Sequence, residues 1–511
     1  MTTERSRSPK SPSSLPVSKR PRTDFESAVD GEIAEDGVLQ DYSVTRGVSG
    51  TQSCPYLDTI NRRVLDFDFE KLCSISLSTH NVYGCLVCGK YYQGRGRTSH
   101  AYIHALHDNH HVFINLTTSN IYCLPDGYEV HDASLDDIKY NLFPKLDPQQ
   151  LAILDSIPKF SQALDGVDYL PGIIGLNDIK QTDWFNATMQ ALMRVRPLRD
   201  FFAVPEHYQG CPSQLVLRFG ELVRKFWNPK LYRAHVSPHE LLQEVATLSK
   251  KQFRIGYSSD PIQFLAWFLN ELHRGLTHRI VNGTKLPSLK TSIITDVFQG
   301  RVEVSSMKLG GRPAVVSNAP KAIKAVPFLY LSLDLPESPL FKDTDSDREI
   351  IPQVPLFVLL QKFDGVTYQN LPNGESRLHN IQALPPYLIL HIKRFTKNNF
   401  FIEKNNTIVN FPISNLDLKD YYANSDDDTN KETLSTRYNL IASICHEGEL
   451  TTTGNTIGGN LNTKESGGRY RAHVWSRSNR QWYDIQDLHV QETMPQLVAL
   501  SESYIQVWER I

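Results

Sequence analysis

Along this chain the apolar positions change rhythm part-way. Between residues 185 and 272 they recur every three or four positions, in 185–195, 213–226, 237–248 and 261–272, the spacing of helices with one buried face. From residue 293 onward, short runs of β-branched and aromatic residues at 293–298, 328–335, 387–392, 438–444, 470–475 and 504–508 predict strands. Helices first and strands later predict an α+β domain. Upstream, 111–116 and 120–124 predict short strands, and a polar, helix-prone bridge covers about 132–168. Clusters of Asp, Ser, Gly, Asn and Lys predict exposed insertions at about 302–325, 341–350, 423–436 and 449–467. No internal repeat interrupts this order, and no apolar run approaches the ~18 residues of a membrane span.

The N-terminal stretch has no such pattern. Residues 1–23 hold six Ser, four Pro and six basic side chains against one acidic, and residues 24–50 hold seven acidic against one basic. Neither buries enough apolar surface to offset the entropy of ordering, so a disordered tail is expected over 1–50. Ser8–Pro9 and Ser11–Pro12 are candidate phosphorylation steps, and Lys19-Arg20-Pro21-Arg22 is a candidate nuclear import signal. The tail lacks the apolar stretch of a secretory signal.

Composition narrows the class. At roughly 150 residues per domain, 511 residues predict about three units. Lys plus Arg number 54 and Asp plus Glu 56, a net charge of -2, so no global field draws the chain to nucleic acid or an anionic membrane. Seven cysteines are too few for a disulfide framework and point to a reducing, intracellular location. Cys54, Cys73, Cys85, Cys88 and Cys123 cluster near the start, leaving only Cys211 and Cys445 beyond them. That clustering marks a separate module.

Within it, Cys85-Leu-Val-Cys88 is followed by His104 and His110. Two thiolates on a knuckle and two imidazoles supply four ligands for tetrahedral zinc with no open position, so the ion is structural. His80, His100, His107 and His111 lie close in sequence, and His100 and His107 are the alternative ligands.

The order Cys85-x-x-Cys88-Gly89, Gly94-Arg95-Gly96, His100-Ala101, His104, His110 resembles the zinc finger of ubiquitin carboxyl-terminal hydrolases. Some relatives hold two or three zincs. Here Cys73 faces Ser76 and Cys123 faces Asp126 where further thiols are needed, so one Zn2+ is expected. The resemblance also implies a grip on the ubiquitin tail by Arg95 with nearby aromatics. Tyr122 and Tyr128 remain, but the aromatic frame is altered and ubiquitin binding is not expected.

A second series resembles the ubiquitin-specific protease family: 175–192 its nucleophile box, 259–265 its second helical motif, then 297–300, 327–334, 384–395, 438–448, 467–474 and 482–487 in the family's order. The resemblance implies a papain-like fold of thumb, palm and fingers over 171–511, after a tail (1–50), a finger (51–148) and a linker (149–170). Carrying the family's cysteine, histidine and aspartate or asparagine onto this chain places Asp183, Arg469 and Gln486 at those positions. A carboxylate is a weak nucleophile towards an amide, and a guanidinium has no lone pair to take a proton. Neither Cys211 nor Cys445 is expected in a Cys–His pair, and His446 reads as a core histidine. A degenerate catalytic site is therefore expected, with Asp183 as helix N-cap and paired to Arg469 across the old cleft.

Finger, substituted protease domain and basic tail together resemble the inactive, tri-snRNP-associated branch of that family. The resemblance implies a nuclear, non-catalytic scaffold in pre-mRNA splicing whose partners are spliceosomal tri-snRNP proteins, with incidental snRNA contact and no membrane. Segments 226–230 and 396–401, aromatic and basic, are candidate interfaces. A ubiquitin-binding adaptor and a residual deubiquitinase are the alternatives.

Overall fold

A four-stranded antiparallel sheet, in the order β2–β1–β3–β4, carries the Cys/His-rich region: β1 (Val82–Cys85), β2 (Tyr91–Gln93), β3 (Val112–Asn115) and β4 (Ile121–Cys123). Between β2 and β3 runs α1 (His100–Asp108), which ends where Asn109 takes the left-handed conformation at φ 58. The computed structural model describes residues 54–511 except 279, 282–283, 286–288, 309–321, 338–351, 372–374, 398–401, 423–434, 449–450, 453–464 and 467. The expectations for the 1–50 tail, for 341–350 and for most of 423–436 and 449–467 lie outside the described residues. The helix-prone bridge forms α2 (Asp136–Leu142) and α3 (Pro148–Ser156), the latter opened by a capping box between Asp147 and Gln150 with Pro148 in its first turn.

The four periodic segments become α4 (Asp183–Leu192), α6 (Gln214–Phe226), α7 (His239–Leu248) and α8 (Pro261–Thr277), with α5 (Arg196–Ala203) between the first two. All ten residues of α4 are buried, as an apolar core helix requires. Trp184 and Phe185 pack on Phe264 of α8 at ring separations of 5.0 and 5.3 Å.

Two expectations fail here. Residues 293–298 form a helix, α9 (Ile293–Phe298), not a strand. Ser292 and Thr295 make a capping box that outweighs the β-branched composition. Residues 302–325 are not simply a loop, because β5 (Gly300–Lys308) and β6 (Ala322–Phe328) enter this range and pair antiparallel, Gly300 opposite Phe328. Their polar residues alternate with Val302, Val304 and Val326, which face a core, and that alternation decides the structure.

The main sheet follows. After β7 (Leu331–Asp334), β8 (Glu375–Ala383) pairs with β5, while β9 (Tyr387–Lys393), β10 (Arg437–Glu447), β11 (Arg469–Ser476), β12 (Gln481–Gln486), β13 (His489–Thr493) and β14 (Ser503–Arg510) join β7 in the order β7–β9–β14–β10–β11–β12–β13. β7 runs parallel to β9 and the remaining neighbours are antiparallel. Ile389, Ile444, Ala472 and Val507 face the helices, whereas Leu388, Leu390, Trp482 and Trp508 face a second core on the other side. Burial on both faces explains why β9 reads as an unbroken apolar run. The proposed interface at 226–230 belongs to the core, since Phe226, Trp227 and Asn228 are buried. The other, 396–401, lies mostly outside the described residues. Among the described residues no helix is long and apolar enough to cross a membrane.

Charge joins the Cys/His-rich region to the helices. Lys225, at the end of α6 and 8% exposed, donates to the Phe67 carbonyl at 2.8 Å and to Asp68 Oδ1 at 2.9 Å. Asp68 Oδ2 also accepts the Ser237 N–H at 2.9 Å. Beside this, Asp137 receives Arg62 at 2.6 Å and Tyr232 at 2.9 Å. Burial opposes the Lys225 charge, yet the carboxylates of Asp68, Glu240 and Glu221 hold its pKa above the ordinary value. Asp68→Ala strands that ammonium, so a loss of about 3–5 kcal/mol in urea unfolding is expected, largely recovered when Lys225→Met is added.

Candidate functional site

Where α4 meets β11, the first described residue of the helix is Asp183, with Thr182 in the cap position, one residue earlier than expected. The preceding loop is closed by Asp178, which accepts from the Thr182 N–H at 2.8 Å and hydroxyl at 2.9 Å. Asp183 is 8% exposed, and its Oδ2 accepts the Tyr470 N–H at 2.7 Å. Burial pushes the Asp183 carboxyl above its ordinary pKa, opposed by the amides of Tyr470 and Trp184.

The expected Asp183–Arg469 pair does not form. Among the described residues no hydrogen bond or ion pair joins them, and Arg469 is exposed. Side chains alternate along β11, so burying Tyr470 turns Arg469 outward and leaves the strand's own amide to meet the carboxylate.

Gln486, at the end of β12, accepts from Arg471 at 3.3 Å. The next residue is one the sequence pattern did not single out. Asp487, left-handed at φ 52, accepts Asn186 Nδ2 of α4 at 2.8 Å, and its carbonyl accepts the Leu176 N–H at 2.9 Å. Its carboxyl is pushed up to about 6, first by burial and then by Asp178 and Asp183, with Asn186 and Arg469 opposing. The signal available was a carboxylate adjoining Gln486 in the last box.

His446 sits behind this corner. Its ring lies 4.9 Å from that of Tyr470 and 5.2 Å from that of Phe395, and a Cβ on Gly468 would fall 2.0 Å from it. Burial lowers its pKa to about 4, so the imidazole is neutral near pH 7, and among the described residues its Nδ1 has no hydrogen-bond partner.

A Cys–His pair does exist, contrary to expectation. Cys445 Sγ lies 3.6 Å from His473 Nδ1 and 3.1 Å from the Ser501 hydroxyl, and His473 Nε2 lies 3.6 Å from Asp484. Cys445 and His473 meet because His473 reaches Cys445 sideways, with Ser443 opposite His473 across the β10–β11 ladder. Cys445, His473 and Asp484 are all buried, and the strand alternation turns them away from Ile444 and Ala472, which face the helices. The pair is therefore on the opposite face of the sheet from Asp183.

In the Cys/His-rich region, the ligand atoms of Cys85, Cys88, His104 and His110 all lie within 4.8 Å of one another. Cys88 Sγ is 3.4 Å from His104 Nε2, which is 3.0 Å from His110 Nδ1, while Asp108 holds His104 Nδ1 at 2.7 Å. Neither His100 nor His107 joins this group. Cys73 Sγ accepts the Ser76 N–H at 3.4 Å, Cys123 lies 4.0 Å from Asp126, and Tyr128 reaches Cys54 at 3.4 Å. Arg95 stacks over Tyr122 at 4.5 Å.

Residues 174–508 match the family described as "Ubiquitin carboxyl-terminal hydrolase". The chain belongs to the ubiquitin carboxyl-terminal hydrolase family. Residues 73–135 match "Zn-finger in ubiquitin-hydrolases and other protein". The chain is 49% identical over 479 residues to human "Ubiquitin carboxyl-terminal hydrolase 39", covering 90% of this chain and 80% of that one. It is 44% identical over 462 residues to the Schizosaccharomyces pombe "Probable mRNA-splicing protein ubp10", covering 89% and 88%. A solved "essential yeast splicing factor" aligns at TM-score 0.69 and 28% identity, over 89% of this chain and 99% of that one. A ubiquitin-aldehyde-bound SAGA deubiquitinating module shares the hydrolase fold, at TM-score 0.50 and 18% identity over 87% of this chain and 90% of that one.

In this family member three carboxylates, Asp178, Asp183 and Asp487, crowd one corner of the cleft. A carboxyl whose folded pKa is raised favours the folded state at low pH, and that advantage is lost as pH rises from its unfolded value near 3.8 through about 6. Asp487→Asn removes the penalty while keeping an oxygen acceptor for Asn186, and Asn tolerates the left-handed backbone. The variant is expected to be more stable than wild type by about 1–2 kcal/mol at pH 7, after discounting for solvent screening. The gain should vanish towards pH 4 when urea midpoints are compared across that range.

Proposed function

We propose that this chain is a non-catalytic scaffold in pre-mRNA splicing, acting in the nucleus to support the assembly or stability of the tri-snRNP through contacts with its proteins. One observation carries the reading: where isopeptide hydrolysis needs a thiolate, Asp183 is held by the Tyr470 amide at 2.7 Å. A carboxylate spent on a backbone donor is poorly placed to attack, and Arg469 and Gln486 offer no base. The names of relatives similar over most of the chain, a probable mRNA-splicing protein and a pre-mRNA-splicing factor, support the splicing role. Such work uses surfaces and no turnover. On this reading residues 1–50 are a tail, 51–148 a finger, 149–170 a linker and 171–511 an inactive protease-like domain. The finger is braced on that domain by Asp68 and Lys225, so both present their surfaces together.

The finger's group of four fits one structural zinc ion. Tetrahedral zinc with bonds of about 2.3 Å to sulfur and 2.0–2.1 Å to nitrogen sets S···N edges of about 3.6 Å and N···N edges of about 3.3 Å. The observed 3.4 and 3.0 Å are close to these. Cys85, Cys88, His104 and His110 would hold the ion, and Asp108 would fix the His104 tautomer. Bound zinc would supply cross-linking only.

Two measurements test this. In splicing extract depleted of the endogenous protein, Asp183→Asn, which keeps an acceptor for Tyr470, should restore splicing as wild type does, with no cleavage of a fluorogenic ubiquitin substrate by either. A folded Asp183→Asn chain that fails to restore splicing would overturn the scaffold reading. Elemental analysis should find one zinc per chain, lost in Cys88→Ser together with a lowered unfolding temperature.

A further inference from the structure

α4 and β11 both start at the cleft, and both end at a second pocket, walled by Asp155, Arg194, Arg199, Trp227, Ser476 and Arg477. Its charges do not balance. Arg199 forms a two-pronged pair with Asp155 at 2.6 and 2.7 Å and also reaches Asp200 at 2.8 Å. Arg477 pairs with Glu509. Arg194, just past the end of α4 and 6% exposed, has no carboxylate within ion-pair distance among the described residues. It donates one Nη2 bond to the Gly172 carbonyl and lies 5.1 Å over the Trp227 ring.

Two buried donors on residues of this pocket have no acceptor among the described residues, Arg194 Nε and the Trp227 indole Nε1. Burial first, and then the Arg199 charge, pull the Arg194 pKa down to about 9, Asp155 opposing and Arg477 adding to the fall. A buried cation without a counter-charge is strongly unfavourable, and so is a buried donor without an acceptor. A water molecule would supply an acceptor but no charge. An oxyanion supplies both, and guanidinium forks are the usual partners of phosphate and carboxylate oxygens.

We propose that this pocket is an oxyanion-binding site for a phosphate-class group, with Arg194 Nε donating to the anion and Arg477 closing the rim. The group comes either from a free inorganic ion or from a phosphorylated side chain of a partner. The site lies at the far end of α4 from Asp183 and does not depend on the scaffold reading.

The test titrates the full-length chain calorimetrically with inorganic phosphate, and separately with a phosphoserine peptide, at constant ionic strength. Saturable one-site binding is expected, weakened by at least about tenfold in Arg194→Met. Arg477→Gln, at the half-exposed rim, should also weaken it and serves if Arg194→Met does not fold. Tighter binding of the peptide assigns the group to a partner, and binding of phosphate alone assigns it to a free ion; either outcome supports the site. No saturable binding of either probe, or unchanged binding in both variants, overturns it.

Discussion

A buried carboxylate at the head of a buried helix has to be satisfied, and the way Asp183 is satisfied organises this molecule. Its bond to the Tyr470 amide ties α4, which is enclosed on every side, to the strand that runs beneath it. Asn186 and Asp487 repeat the connection one turn further along, so the last box of the domain is fastened to the same helix. The polar groups that line a catalytic groove in a hydrolase here serve as cross-braces. Each brace takes up hydrogen-bonding capacity at the corner where α4, β11 and the end of β12 meet.

The same logic extends to the joint with the Cys/His-rich region. That joint is built from Lys225, Asp68, Asp137, Arg62 and Tyr232 rather than from a continuous apolar seam. Buried charges are demanding about geometry, because a partner displaced by a few ångströms leaves a naked ion. A joint of this kind has essentially one acceptable arrangement.

Much of this was legible in the residues. The helical periods of α4, α6, α7 and α8, the strands β7, β9, β10, β11 and β14 of the main sheet, and the Cys85, Cys88, His104, His110 group follow from spacing, whereas β12 and β13 were not foreseen as strands. What escaped were contacts set by the third dimension. Ile293–Phe298 has strand-like composition, but its N-terminal end is capped by Ser292 and Thr295. Valines hidden among polar residues made β5 and β6 look like loop. Cys445 and His473 are far apart in sequence and neighbours only across a ladder. The Asp183–Arg469 pairing followed from the carried-over family positions and their opposite charges, whereas strand alternation sends that arginine outward and offers a main-chain amide in its place.

The packing around Gly468 limits what the chain can carry where it enters β11. The His446 ring fills the space that any larger residue at 468 would enter, and the Tyr470 ring meets that imidazole edge-on at 4.9 Å. Any side chain at 468 therefore has to displace both the buried His446 ring and the Glu447 carbonyl, so the entry to β11 is open to glycine alone unless two strands shift together.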